Sequence, residues 1–194
     1  MMGSRVSIQT ADFNLAAEIE ALRAGDRRVG AVCSFIGTVR DRNGAPMRPA
    51  LARVPGLGTG VSSLPPEGAV SPWGGPAAKD GNTISAMELE HYPGMTEKAI
   101  EAMIDEAHGR FDILGVRVIH RVGLLHPLDQ IMMVAVTSIN RGQSFQACEF
   151  LMDYLKTQAP FWKKESTPDG ERWVDARVSD DAALARWGIK SSNA

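Results

Sequence analysis

Three of the chain's six lysines, Lys156, Lys163 and Lys164, fall within nine residues of the segment NRGQSFQACEFLMDYLKTQAPFWKKE, which runs from Asn140 to Glu165. That clustering points to local anion chemistry. An ammonium beside apolar and aromatic side chains loses solvation, which lowers its pKa or readies it for an anion. Phe161 and Trp162 deliver Lys163 and Lys164, and an apolar stripe leads up to Lys156. Arg40 and Arg141 each follow the end of an apolar, strand-like run. A guanidinium placed there is either a solvated terminus or a fork aimed into a cleft. If the strand ends and the helix end lie side by side, Arg40, Arg141, Lys156 and Lys163 form a positive pocket walled by Phe35, Phe161 and Trp162. Such a pocket suits a phosphate- or carboxylate-bearing ligand with a flat, stackable ring. A desolvated lysine there could stabilise developing negative charge, shuttle a proton or act as a nucleophile. The plain alternative for Lys156 is compensation of a helix dipole.

The elements that must position these groups follow from periodicity. Phe145, Cys148, Leu151, Met152 and Leu155 recur at spacings of three and four and predict one buried helix face. Ser144 is its expected N-cap, and Pro160 cannot continue it, so Lys156 falls in the last turn. Upstream, residues 5–9 read as a short strand. A helix then starts at Asp12 or Asn14, carries Leu15, Ile19 and Leu22, and closes at Gly25. Val29 to Val39 reads as a buried strand ending at Arg40.

From Ile84, the strand ISAMELEHY alternates Met87 and Leu89 against Glu88 and Glu90 and runs into a turn at Pro93-Gly94. Thr96 is the expected cap of the next helix. Ile100, Met103, Ile104 and Ala107 form its inward stripe, and Glu97, Lys98, Glu101 and Asp105 face water. Gly115 to Gly123 reads as a strand with one core face, Val116, Val118, His120 and Val122, in which His120 is a hydrogen-bonded core residue rather than a catalyst. The turn LLHPLDQ joins it to a second buried strand, Ile131 to Ile139, suggesting an antiparallel pair. WKKESTPDGERWV then reads as a hairpin turning at Pro168-Asp169-Gly170, before a short helix around Ala182 to Trp187. This order predicts an α+β fold, not a doubly wound sheet.

Composition sets the limits. Residues 43–81 hold seven of the eleven prolines and eight of the nineteen glycines, so they read as a flexible insertion that cannot offset its ordering entropy by burial. The run Gly56, Gly58, Gly60 lacks the spacing and strand-to-helix context of a phosphate loop. Trp73, the one aromatic there, reads as part of a solvent-exposed linker. The rest, residues 1–187, is expected to be a single domain, with 188–194 a tail. A net charge of −2 offers no global attraction to nucleic acid or an anionic membrane, so an anion site must be local. Cys33 and Cys148 form no CxxC pair, and with four scattered histidines they give no zinc spacing. They read as buried thiols in a reducing compartment. Without an apolar leader or a long apolar run, the expected location is the cytoplasm.

MELEHYPGMTEKAIEAMIDEA, VIHRVG and FLMDYLKTQAPFWKKESTPDGERWVDAR together resemble the large, catalytic subunit of molybdopterin synthase, the MoaE family. The likeness spans roughly residues 5–42 and 82–187. It implies an α/β-hammerhead fold with an antiparallel or mixed sheet and three main helices, and a homodimer. Each subunit of that dimer binds a small ubiquitin-like sulfur-carrier subunit, giving a heterotetramer. The small subunit's Gly-Gly tail, ending as a thiocarboxylate, donates sulfur to cyclic pyranopterin monophosphate to build the molybdopterin dithiolene, and the resemblance implies no metal or cofactor. By residue, it implies Lys156 and Lys163 as the catalytic lysines. Substrate contacts are implied at Thr38-Val39-Arg40, at Asn140-Arg141, and at Lys163-Lys164-Glu165, with Arg177 reaching the neighbouring protomer's pocket. Three departures stand out. Asn140 replaces a frequent His and so removes a titratable ring, Thr38 stands where some relatives carry Lys, and the insertion at 43–81 takes the place of a short loop. A dimeric adaptor that holds a ubiquitin-like tail or phospho-ligand without turnover is the competing class. Retention of both lysines and both arginines favours the enzyme. A single-strand RNA binder using Phe161, Trp162 and the lysines is a poorer fit to the negative charge.

Overall fold

Met133, Val134, Ala135 and Val136 have no exposure to solvent, because both faces of their strand are covered. The computed structural model describes residues 4–41, 83–174 and 186–188. In chain order the elements are β1 (Val6–Gln9), α1 (Leu15–Arg23), β2 (Ala31–Thr38), β3 (Ala86–His91), α2 (Met95–Arg110), β4 (Ile113–Arg121), β5 (Gly123–Leu125), β6 (Gln130–Ser138), α3 (Arg141–Thr157), β7 (Phe161–Thr167) and β8 (Gly170–Val174). They form two four-stranded sheets, one ordered β1-β4-β6-β2 and the other β5-β3-β7-β8. Among the described residues only β1 and β4 pair in parallel; the other pairs are antiparallel. This is the mixed α+β architecture with three helices that the sequence predicts.

Alternation along β6 divides the core. Met132, Val134 and Val136 join Val118 of β4, Ile100, Met103 and Ile104 of α2, and Phe150 and Leu151 of α3. Met133 and Ala135 point the other way, onto Ile119 and Phe13, with Leu15 and Leu22 of α1 packed against them. Each side chain of this size contributes roughly 1.5–3 kcal/mol when fully buried. Expecting one core face on β4 is therefore corrected: Ile119 is fully buried in the second layer, because α1 covers the face that Arg117 and Arg121 only border. His120 is a core histidine as expected, with Nδ1 2.8 Å from the Arg121 carbonyl.

The α1 boundaries follow the sequence signals, with the Asn14 side chain accepting from Ala17 N–H and Gly25 just past the end at φ +82°. Other expectations give way to local geometry. β2 is an edge strand, not a buried one, and leaves Val32 and Phe35 exposed. The segment LLHPLDQ is more than a turn: Leu124 and Leu125 extend β5, which pairs with β3 in the second sheet. Thr96 lies inside α2, one residue past its start, where its hydroxyl bonds to the carbonyls of Tyr92 and Pro160; the cap position belongs to Gly94. Glu97 and Glu101 are also engaged, the first accepting from Gly94 N–H and the second paired with Arg5. In α3, Asn140 occupies the N-cap, while Ser144 is buried and donates to the Arg141 carbonyl. Phe145 is 61% exposed and Phe150 takes the core position. The hairpin turns at Pro168-Asp169, with Gly170 at φ +118°, which a β-carbon would strain. The insertion at 43–81, with Trp73, and Arg177 lie outside the described residues. So does most of the segment expected to form a last helix, of which Arg186 to Gly188 is a turn. Among the described residues no helix is long and apolar enough to cross a membrane.

Candidate active site

The central sheet sorts the basic residues by its two ends. Along β2 and β6, Ala31 pairs with Ser138 and Thr38 with Gln130. Along β6 eight residue steps separate those pairs, about 26 Å. Asn140 and Arg141 begin α3 just past Ser138, whereas Thr38 closes β2 at the opposite end and Arg40 follows it. Helix α3 then doubles back along the sheet, seventeen residues or about 25 Å long. Phe161, four residues beyond it, stacks on His120 at 3.8 Å, and His120 pairs with Met132 near the start of β6. Lys156, in the last turn of α3, is therefore carried to the Arg40 end. The four-cation pocket expected from the sequence thus divides: Arg40, Lys156 and Lys163 share one end of the fold, and Arg141 with Asn140 occupies the other.

Lys156 is exposed at the rim of a groove of about 290 Å³ lined by Cys33, Phe35, Phe145, Cys148 and Met152. The groove exists because, among the described residues, β2 is an edge strand and α3 lies across it without a further helix to cover Phe35 and Phe145. It offers an extended apolar segment a place to lie, with an ammonium at its margin.

Lys163 belongs to the second sheet, where strand alternation decides what it meets. It pairs in register with Leu89 and Val174, so it shares a face with Leu89 and, two residues on, with Glu165. Glu165 is fully buried; Lys163 Nζ lies 2.8 Å from its Oε1, and Arg172 Nη2 lies 3.3 Å from Oε2. One buried carboxylate thus anchors two cations that keep partial access to solvent. Lys164 points to the opposite face. It pairs with Glu171 and Glu88 and lies 5.9 Å from the Trp173 ring centre, and the Glu171 carboxylate raises its pKa. Trp162 alternates with Lys164, not with Lys163, and of the three expected aromatic walls only Phe161 lies on the Lys163 face.

The other candidate positions have distinct surroundings. Thr38 and Arg40 are exposed. Between them Val39 is 1% exposed, packed with Met87, Leu89 and Leu125, and its N–H and carbonyl bond to Asp129 O and Leu128 N. Val39 thereby ties the end of β2 to the sheet that carries Lys163. At the far end Gly30 donates to the Ser138 carbonyl and lies so close to Ile139 that a β-carbon would clash with the Ile139 carbonyl oxygen. Arg172 was missed in the sequence. Its signal was available in the hairpin, because a two-residue turn at Pro168-Asp169 puts residue 172 opposite residue 165.

His120 completes this end of the molecule. Burial lowers its pKa to about 4, against the hydrogen bond to Arg121, so its imidazole is neutral and serves as a flat support for Phe161. His91, the register partner of Phe161 on β3, has its ring centre 6.5 Å from that of Phe161. The chemistry available is anion binding by Arg40, Lys156 and Lys163, and stabilisation of negative charge beside an apolar groove.

Comparison with known proteins places this arrangement. A family model described as MoaE protein matches residues 61–158. The molybdopterin synthase catalytic subunit of Ralstonia nicotianae is 52% identical over 189 residues, covering 97% of this chain and 87% of its own length. The solved structure of a molybdopterin biosynthesis MoaE protein from Burkholderia ambifaria aligns at a TM-score of 0.68 and 49% identity, covering 97% of this chain and all of that one. At 15% identity and a TM-score of 0.58, covering 89% of this chain and 91% of the other, a complex of subunits 1 and 2 of molybdopterin-converting factor from Helicobacter pylori shares the fold.

Proposed function

This chain belongs to the MoaE family, and from that premise we propose that it is the catalytic subunit of a molybdopterin synthase. In this reading it moves sulfur from the thiocarboxylate tail of a small ubiquitin-like subunit to cyclic pyranopterin monophosphate. The observation that carries the proposal is the arrival of Lys156 and Lys163, from a helix end and a separate sheet, at the end of the fold where Arg40 lies. The extended tail enters along the groove of Phe35, Phe145 and Met152 and brings its sulfur to Lys156. Arg40 holds the substrate phosphate by charge-assisted hydrogen bonds. The two ammonium groups stabilise the tetrahedral oxyanion that forms as sulfur leaves the acyl carbon. Each transfer forms a carbon–sulfur bond on the pterin and, after hydrolysis, leaves the tail as a carboxylate.

The distance of about 26 Å between the sheet ends bears on assembly. Asn140 and Arg141 can meet the same substrate only if a second copy presents its far end to this one, so the working unit is a homodimer whose sites are shared across the interface. The related Helicobacter pylori protein forms a two-subunit complex, which supports a small-subunit partner for this chain as well. The test is reconstitution: the purified chain is mixed with a thiocarboxylated small subunit and cyclic pyranopterin monophosphate, and molybdopterin is measured after oxidation to its fluorescent form. Product that depends on all three components is expected. No product with a folded dimer and a fully thiocarboxylated partner would overturn the proposal.

A further inference from the structure

The chain has two cysteines, far apart in sequence, and the packing of α3 on β2 brings them together. Cys33 is half-buried and packs against the core that contains Cys148, which is 4% exposed. Both line the groove that has Lys156 at its rim, and the chemistry proposed above uses neither. No other thiol competes for an oxidant.

We propose that Cys33 and Cys148 are a reversible redox pair that, on reaction with a small-molecule disulfide, closes into an intrachain bond and narrows the groove beside Lys156. Cys33, the thiol reached from the groove, attacks one sulfur of the small disulfide as its thiolate. The S–S bond breaks, one small thiol leaves, and a mixed disulfide remains on Cys33. Cys148 then loses its proton to solvent and attacks the Cys33 sulfur, expelling the second small thiol. Two protein thiols are oxidised and one small disulfide is reduced to two thiols. Burial and the neighbouring thiol push the Cys148 pKa up to about 12, so the second step is the slow one and quickens as pH rises. A disulfide holds its two β-carbons about 3.8 Å apart and so pins β2 to α3 across the groove.

The test treats the folded, reduced full-length chain with oxidised glutathione across a pH series and follows intact mass and peptide maps. Expected are the loss of two hydrogens, a Cys33–Cys148 cross-linked peptide, a closing rate that rises with pH, and reversal by dithiothreitol. Cys148→Ser should stop at the glutathione adduct on Cys33, and Cys33→Ser, at the more exposed position, should stay unmodified. A stable adduct on the wild-type chain, a disulfide between two chains, or unreacted thiols would each overturn the proposal. A second arm rests on the proposed sulfur transfer: the closed form should turn over at least tenfold more slowly and recover with reductant. Unchanged turnover by a fully closed chain would overturn the narrowing. A chain inactive in both states would instead count against the sulfur-transfer reading, and the mass data would still decide the redox pair.

Discussion

The ammonium of Lys163 lies 2.8 Å from Oε1 of Glu165, a side chain with no exposure to solvent. Removing the lysine leaves the buried carboxylate beside Arg172, whose Nη2 lies 3.3 Å from Oε2. A buried charge that loses a partner keeps its desolvation penalty. Lys163→Ala should therefore cost about 1–3 kcal/mol in urea unfolding, and Lys163→Arg should recover most of it. An alanine variant as stable as the parent would show that the ion pair carries no weight. If the arginine variant is stable yet lacks turnover, the compact ammonium itself is needed for the chemistry.

Among the described residues Lys156 has no such anchor. It is exposed in the last turn of α3, so Lys156→Ala should change stability by no more than about 0.5 kcal/mol. Loss of a group that stabilises developing charge should nevertheless lower molybdopterin formation by at least about 100-fold. Single-turnover assays on a folded, dimeric variant make the comparison. Normal turnover would remove Lys156 from the chemistry.

Lys163 and Lys164 are adjacent in the chain, yet strand alternation sends them to opposite faces. Lys164 is held by Glu171 and Glu88 beside Trp173. Lys164→Ala should thus lower turnover by less than about tenfold, or about 1.4 kcal/mol in barrier, and Lys163→Arg should cost more. Parallel kcat/KM measurements on the two variants decide it, and equal losses would mean that the substrate or the small subunit reaches both faces of the strand.

Much of this end of the molecule was legible in the sequence because it is written in local signals. The three-four spacing and Pro160 located α3 and placed Lys156 in its last turn, and Pro168-Asp169-Gly170 located the hairpin. What remained hidden depends on pairing between distant segments. Phe145 fits the helical stripe by spacing, but no element among the described residues covers its side of β2, so it stays exposed. Likewise Arg141 looked like a companion of Arg40, since each closes an apolar run. Periodicity does not report strand direction, and the antiparallel register of β2 with β6 puts the two residues at opposite ends.

His120 supplies a pH test. Its folded pKa of about 4 lies below the ordinary 6.5, so the unfolded chain binds more protons between those values. Stability from this group is complete above about pH 6.5 and is lost as pH falls toward 4, by about 3 kcal/mol at 1.36 kcal/mol per unit. His120→Phe keeps a flat ring against Phe161 and removes the titration. The difference in unfolding free energy between the two proteins should fall with acidification over that window. A constant difference would show that the imidazole takes up a proton in the folded state as readily as in the unfolded chain.

Sharing of sites between two copies gives the most demanding prediction. Lys156 and Arg141 sit near opposite ends of α3, about 22 Å apart by helix rise, so a site that uses both draws them from different chains. Lys156→Ala and Arg141→Ala homodimers should then both lack full activity, because every site in each is damaged. In a mixed dimer one site collects both substitutions and the other collects neither. Random exchange makes half of the dimers mixed, each with one intact site, so activity should return to about a quarter of the parental level. Exchange can be driven by mild urea and followed with a mass-tagged chain. If both residues acted within one chain, every site in the mixture would still carry one substitution, and no activity would return.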